Sequence, residues 1–199
     1  MTELNVSRET LERLEIYATL LRKWNRKINL VSPRSLDDLW TRHIVDSVQI
    51  FEQADCFSTW SDIGSGGGFP GLVCAILDHE SKKSGKFILV ESDTRKCIFM
   101  KEVIRNTGIQ CAVINDRIEG VTPLETDVLS ARALTGLKGL LSYADLHLSK
   151  QGVALFPKGK NWKEEVREAR EQWQFDMNVI KSVTDSQAVI LRVEGIQRV

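Results

Sequence analysis

The chain has 199 residues, 42% of them hydrophobic, which suits one domain with a substantial core and is short for two. Lysine and arginine number 27, aspartate and glutamate also 27, so no excess charge argues for gripping bare nucleic acid by charge alone. There is no repeat, no low-complexity run and no apolar stretch of membrane-spanning length, and the charged N-terminus lacks a signal-peptide core, so a cytoplasmic location is expected.

In chain order, Leu11, Leu14, Tyr17, Leu21, Trp24 and Ile28 recur at steps of three and four, predicting a helix from Ser7 to about Asn25. Pro33 ends that pattern, and a second helix is expected over Leu36 to Phe51. Strands are then expected at Phe57–Ile63, Lys86–Glu91, Cys111–Asn115, Val128–Ser130, Gly152–Phe156, Val179–Thr184 and Ala188–Val193. Helical patterns lie between them at Gly71–Leu77, Thr94–Thr107, Leu137–Leu148 and Trp162–Trp173. Strand–helix alternation implies an α/β fold with a mostly parallel, seven-stranded sheet. The last two strands leave no room for a helix, so a reversed final hairpin turning near Asp185 is expected. Residues 1–199 read as a single domain, with 1–55 as an N-terminal helical extension and 56–199 as a Rossmann-like core.

The four cysteines have neither CxxC spacing nor a nearby histidine partner, so no metal site is predicted and buried free thiols are expected. The chemical signal is Ser61-Asp-Ile-Gly-Ser-Gly-Gly-Gly-Phe-Pro-Gly-Leu72, directly after the first expected strand. Glycines there let the backbone turn with positive φ and approach a ligand closely. Two frames compete. Gly66, Gly68 and Gly71 satisfy the dinucleotide pattern GxGxxG, but late and with Pro70 inside it. Asp62, Gly64, Gly66 and Gly68 give DxGxGxG at the strand end, the pattern of S-adenosylmethionine-dependent methyltransferases, and this frame is preferred. Glu91, ending the next strand, suits a ribose diol under either frame.

Seven segments in fixed order add specificity: KWNRKINLVS (23–32), TRHIVDS (41–47), SDIGSGGGFPGL (61–72), LVESDTRKCIFM (89–100), DRIE (116–119), VLSARAL (128–134) and FPKGKN (156–161). With them the chain resembles the RsmG/GidB family, which methylates N7 of a guanine in small-subunit ribosomal RNA. The resemblance implies a class I methyltransferase fold, S-adenosylmethionine as cofactor and a monomer. It further implies that Gly64 and Phe69 line the methionine side of the cofactor and that Ile118 and Glu119 meet the adenine. It places Arg132 at the pocket mouth, toward cofactor or RNA. Gly66 and Glu91 complete the expected cofactor set.

Methylation at N7 needs no general base, since that nitrogen carries a lone pair and no proton. No Pro-Cys nucleophile or Asn-Pro-Pro-Tyr loop is present, and no catalytic residue is named. The RNA partner, ribosomal RNA or a subunit precursor, must meet local charge. Residues 22–34 carry Arg22, Lys23, Arg26, Lys27 and Arg34 with no acid among them, and Lys158 follows the fifth strand. Lys27, Arg117, Arg132 and Lys158 are the candidate RNA contacts. Alternative readings are a methyltransferase for another substrate, a non-catalytic RNA-binding assembly factor, and a nicotinamide-dependent oxidoreductase.

Overall fold

The computed structural model describes residues 4–81 and 85–199. The first helix, α1 (Arg8–Asn25), starts where the sequence predicts: the Ser7 hydroxyl accepts from the Thr10 amide, the reciprocal of a helix N-terminus with orphan donors. Its buried stripe is Thr10, Leu14, Tyr17, Ala18 and Leu21.

The expected single helix over 36–51 is instead three pieces. Ser32 caps α2 (Pro33–Asp37), with Pro33 in the first turn. Asp38 leaves helical geometry, at φ −101° and ψ 30°. A widened π-helical turn, Trp40–Val45, then runs into α3 (Asp46–Phe51). The wide turn buries three successive residues, His43, Ile44 and Val45, which a regular amphipathic helix would not do.

From there strands and helices alternate: β1 (Thr59–Ile63), α4 (Gly71–Ser81), β2 (Lys86–Val90), α5 (Thr94–Thr107), β3 (Cys111–Ile114), a 3₁₀ turn (Ile118–Gly120), β4 (Thr126–Ser130), α6 (Leu137–His147), β5 (Leu148–Lys158), α7 (Trp162–Ala169), β6 (Trp173–Lys181) and β7 (Val189–Arg198). The seven-stranded sheet has the order β3-β2-β1-β4-β5-β7-β6. β1 to β5 are parallel, and β7 runs antiparallel to both β5 and β6. The chain thus winds outward from β1 and returns to β4, so the strand order reverses between those two neighbours.

The reversed hairpin is present, but its first strand begins at Trp173 and ends at Lys181, earlier than expected. Trp162, Val166, Ala169 and Trp173 recur at helical spacing and hide the change. Helix α7 stops at Ala169, and Trp173 and Phe175 are buried while Gln174 and Asp176 are exposed, the period of a strand.

One core cluster joins the N-terminal region to the sheet: Leu14, Tyr17, Leu21, Leu30 and Ile44 pack with Trp60, Leu72, Phe87 and Phe99. The other, beneath α6 and α7, gathers Ile63, Leu129, Leu141, Phe156 and Leu191. At the first core's centre Trp60 stacks between Phe51 and Phe87, with ring centroids 6.0 and 5.7 Å away. Cys74 and Cys97 are buried as expected, whereas Cys111 is half-buried and Cys56 is exposed.

Candidate functional site

The carboxyl ends of β1 and β4, at the reversal, are where an open parallel sheet leaves a crevice. The chain leaves β1 through Gly64 (φ +64°) and Gly66 (φ +56°), a left-handed conformation that side chains disfavour. Four attachments fix the loop. Ser65 donates its amide to Val90 O (3.1 Å), and the Gly68 amide closes back on Ser65 O (2.7 Å). The Gly66 amide donates to Glu91 Oε2 at 2.8 Å. The fourth comes from outside the sheet, where the buried Tyr17 hydroxyl donates to Gly67 O.

Glu91 therefore organises the loop as well as facing the crevice. Its other oxygen accepts from the Asp93 amide at 2.8 Å, and each carboxylate oxygen keeps a second lone pair for a ligand hydroxyl. Behind the loop lies a buried polar chain: Trp60 Nε1 donates to Ser130 Oγ (2.9 Å), which donates to Asp62 Oδ1 (2.6 Å). Burial pushes the Asp62 carboxyl up to about 6, against the pull of its Ser130 and Ser65 hydrogen bonds. Among the described residues Asp62 Oδ2 meets no donor in hydrogen-bond geometry, although the Gly71 amide lies near enough to favour the charged form.

A cavity of about 370 Å³ opens on this loop. It brings together Gly64, Gly66, Glu91, Ile118, Glu119 and Arg132, the cofactor set read from the sequence with one exception. The exception is Phe69. Its ring is 3% exposed, stacked on Tyr17 (5.1 Å) and tilted against His43 (4.8 Å) with the Arg132 guanidinium 5.0 Å above it, so it supports Arg132 rather than lining the cavity. Sequence reasoning missed Lys96 and Tyr143, which also line the cavity, as does Arg117, read from the sequence as an RNA contact. Tyr143 donates to Glu119 Oε1 at 2.5 Å, which holds the Glu119 carboxyl below its usual range. No local spacing signals a pair 24 residues apart. Ile118 and Glu119 begin a 3₁₀ turn, where backbone amides have no partner within the turn.

Arg132 does not pair with Asp127, whose carboxylate holds the Ser58 and Thr59 amides at 2.8 and 3.0 Å. Its Nη2 donates to His43 Nδ1 at 2.7 Å and its Nη1 to Arg42 O at 3.3 Å. Burial first, then the Arg132 and Arg42 charges, lower His43 to about 3, so the imidazole is a neutral acceptor. Asp46, three residues on, turns elsewhere, accepting from Thr184 Oγ1 and from Gln49 Nε2.

A second cavity, of about 520 Å³, shares Arg132, Ala133 and Leu134 with the first. Ala133 holds φ +54°, an uncommon left-handed alanine placed on the common wall. Lys158 lies in this second wall, its ammonium bound to Glu165 (2.7 Å) and Thr135 O (3.1 Å), so it is not a free rim cation. A still larger cavity, about 620 Å³, lies at the amino ends of β2 and β3 beside Lys86 and Cys111. It holds none of the candidate residues and sits at the sheet end opposite to the ligand crevice of this topology.

Of the basic segment 22–34, Arg22, Lys23, Arg26, Lys27 and Arg34 are exposed. Asn25 Oδ1 accepts from the Leu30 and Val31 amides (2.9 and 3.0 Å) and folds the segment back. Leu30 then packs on the glycine loop, 3.1 Å from where a Cβ on Gly67 would stand. Trp24 is half-buried, its ring on Phe99 and its Nε1 donating to Glu102 at 3.1 Å.

The model of the GidB family, described as rRNA small subunit methyltransferase G, matches residues 10–192. This chain belongs to the GidB family. It is 57% identical over 196 residues to the ribosomal RNA small subunit methyltransferase G of Ruegeria pomeroyi, covering 98% of this chain and 96% of that one. To the protein of the same name from Paramagnetospirillum magneticum it is 44% identical, covering 100% of this chain and 95% of the other. Among solved structures, a SAH-bound Podospora anserina methyltransferase superposes with a TM-score of 0.61 at 11% identity, covering 98% of both chains. The M. jannaschii TYW2 in complex with AdoMet does so at 0.59 and 13%, covering 87% of this chain and 80% of that one. These likenesses establish the GidB chain's fold as that of the Rossmann-like methyltransferases. No described helix of this GidB chain is long and apolar enough to cross a membrane, and no described residues cluster as a metal site.

Proposed function

We propose that this chain transfers a methyl group from S-adenosylmethionine to N7 of a guanine in small-subunit ribosomal RNA. The observation that carries the reading is the Gly64–Gly66 loop, pinned by Glu91 onto an open cavity at the strand-order reversal. A Cβ built on Gly66 would meet nothing nearer than Gly64 O at 3.8 Å, so the loop presents bare backbone to the cavity. The cavity's volume falls in the range of small-molecule sites, about 300–1,000 Å³.

In this reading Glu91 takes the ribose hydroxyls, the Ile118–Glu119 turn meets the adenine, and Arg132 stands between cofactor and RNA. Held there, S-adenosylmethionine would supply an electrophilic methyl on its sulfonium, which the N7 lone pair would accept as the carbon–sulfur bonding pair returned to sulfur. No proton moves, so the protein's part is alignment and exclusion of water. Residues 1–199 are taken as one domain, which the core joining the N-terminal helices to the sheet supports, and the protein is proposed to act as a monomer in the cytoplasm. Arg117 and Lys27 serve as RNA contacts.

The test is calorimetric titration with S-adenosylmethionine and, separately, NAD, followed by mapping of N7-methylguanine in small-subunit RNA after incubation with cofactor. Binding of the sulfonium ligand and one modified guanine are expected. Binding of NAD instead, or no methyl transfer to that RNA or to its subunit, would overturn the reading.

A further inference from the structure

The second cavity adjoins the cofactor cavity through Arg132, Ala133 and Leu134, and its far side has a different character. There Asp46, at the start of α3, faces the turn between β6 and β7 with Thr184 and Asp185. Asp46 Oδ1 is saturated by Thr184 and Gln49, while Oδ2 receives no hydrogen bond among the described residues. Of the three cations in the wall, Arg42 is exposed to solvent and Lys158 is neutralised by Glu165. Arg132 makes no ion pair with a carboxylate among the described residues, and its two hydrogen bonds go to neutral acceptors.

Guanine offers groups in a fixed order around its ring: N7, then the O6 acceptor, then the N1–H and exocyclic amine donors. A base whose N7 points across the common wall would present O6 to Arg132 and its donor edge to the far side. We propose that this second cavity is the acceptor-base pocket, where Arg132 donates to guanine O6 and Asp46 Oδ2 accepts from the N1–H and amine edge. The assignment rests on the methyltransferase reading above and makes Asp46 a determinant of base specificity. Adenine would fail at both ends. Its amine would meet the Arg132 donors and its bare N1 the carboxylate, leaving buried polar groups unpaired. Burial raises the Asp46 carboxyl, while its Thr184 and Gln49 hydrogen bonds and the Arg132 charge favour the ionised acceptor.

The experiment titrates guanosine, inosine and adenosine monophosphates into protein saturated with S-adenosylhomocysteine, followed by amide NMR shifts, for wild type and Asp46→Asn. In the variant the amide oxygen keeps the Thr184 and Gln49 bonds, so its nitrogen replaces Oδ2 and an acceptor becomes a donor. Wild type is expected to prefer the guanine nucleotide over the adenine one by roughly tenfold or more, with inosine between. Asp46→Asn should lose that preference, with adenine binding no weaker than before and cofactor affinity unchanged. Its kcat/KM for small-subunit RNA should fall by about tenfold or more. A guanine preference kept in the variant, or no preference in wild type, overturns the pocket. Absence of RNA methylation by wild type would instead sink the functional reading, and the nucleotide titration still decides the pocket.

Discussion

His43 Nδ1 accepts a hydrogen bond from Arg132 Nη2 at 2.7 Å, and both side chains rest on the ring of Phe69. A neutral imidazole thus orients a guanidinium that separates two cavities. Protonating His43 would turn its acceptor into a donor facing a cation, which is why its titration is pushed so low. The π-helical turn matters here, because it delivers His43 inward while leaving Arg42 exposed.

A pH dependence follows. His43 titrates at about 3 in the fold against about 6.5 unfolded. Between those values only the unfolded chain holds the proton. Its contribution is therefore full above about 6.5 and is lost as pH falls. Asp62, raised to about 6, acts oppositely: its share is present below the usual carboxylate value and is lost as pH rises through 6. Substituting His43→Gln keeps an acceptor for Arg132 without the titration. Denaturant unfolding at about pH 7 and pH 5 should show wild type losing up to about 2 kcal/mol more than the variant on acidification. Equal losses would remove His43 from the account.

Tyr17 tests whether the N-terminal helix sets the cofactor loop. Its hydroxyl donates to Gly67 O inside the core, and burial holds its ionisation well above the ordinary tyrosine range. Tyr17→Phe keeps the stacking on Phe69 but strands a buried carbonyl, at a cost of about 1–2 kcal/mol. Thermal denaturation should show a fall of roughly 3–6 °C. Cofactor affinity should fall severalfold, because the loop loses an anchor outside the sheet. A full-strength cofactor site despite lowered stability would show that the loop is held by Glu91 and Ser65 alone.

Much of this was legible in the sequence, and the exceptions have physical causes. Strands β1 to β3 and helix α5 show clear boundaries because Gly64, Asp93 and Gly108 mark where each element stops or is capped. The start of β6 was hidden because Trp173 fits the helical spacing of the preceding residues. Gly64, Gly66 and Glu91 stood out because backbone geometry and strand ends constrain residue type. Tyr143, Lys96 and the His43–Arg132 contact did not. They depend on long-range packing, which no local period encodes, and Phe69 reads as a ligand contact until its burial is known.

Gly66→Ala gives a cleaner probe of the loop than a change at Gly64. A Cβ on Gly64 would stand 2.6 Å from Leu134 Cδ1 and disturb the wall shared by both cavities. At Gly66 the space is open, so the protein should fold with a loss of about 1–2 kcal/mol for a left-handed alanine. The new methyl projects where the cofactor is proposed to lie. Calorimetry should therefore show S-adenosylmethionine affinity reduced by more than about tenfold, against a small change in melting temperature. Unchanged affinity would place the ligand elsewhere.

The basic segment makes a separable claim about RNA. Lys27 is exposed on the loop that Asn25 closes and Leu30 docks against Gly67, and it lines neither of the two cavities. Lys158, the other lysine that the sequence suggests, is a poorer test, because reversing its charge would also break its contact with Glu165. Lys27→Glu, alone and with Arg26→Glu, should leave cofactor affinity and stability intact while raising KM for small-subunit RNA severalfold. If Lys27 neutralises a phosphate, its loss also flattens the salt dependence of RNA binding, by about one in the slope of log K against log salt. A raised KM with an unaltered slope would mean that Lys27 shapes the loop rather than touching the backbone. Unchanged turnover in both variants would remove the segment from the RNA interface.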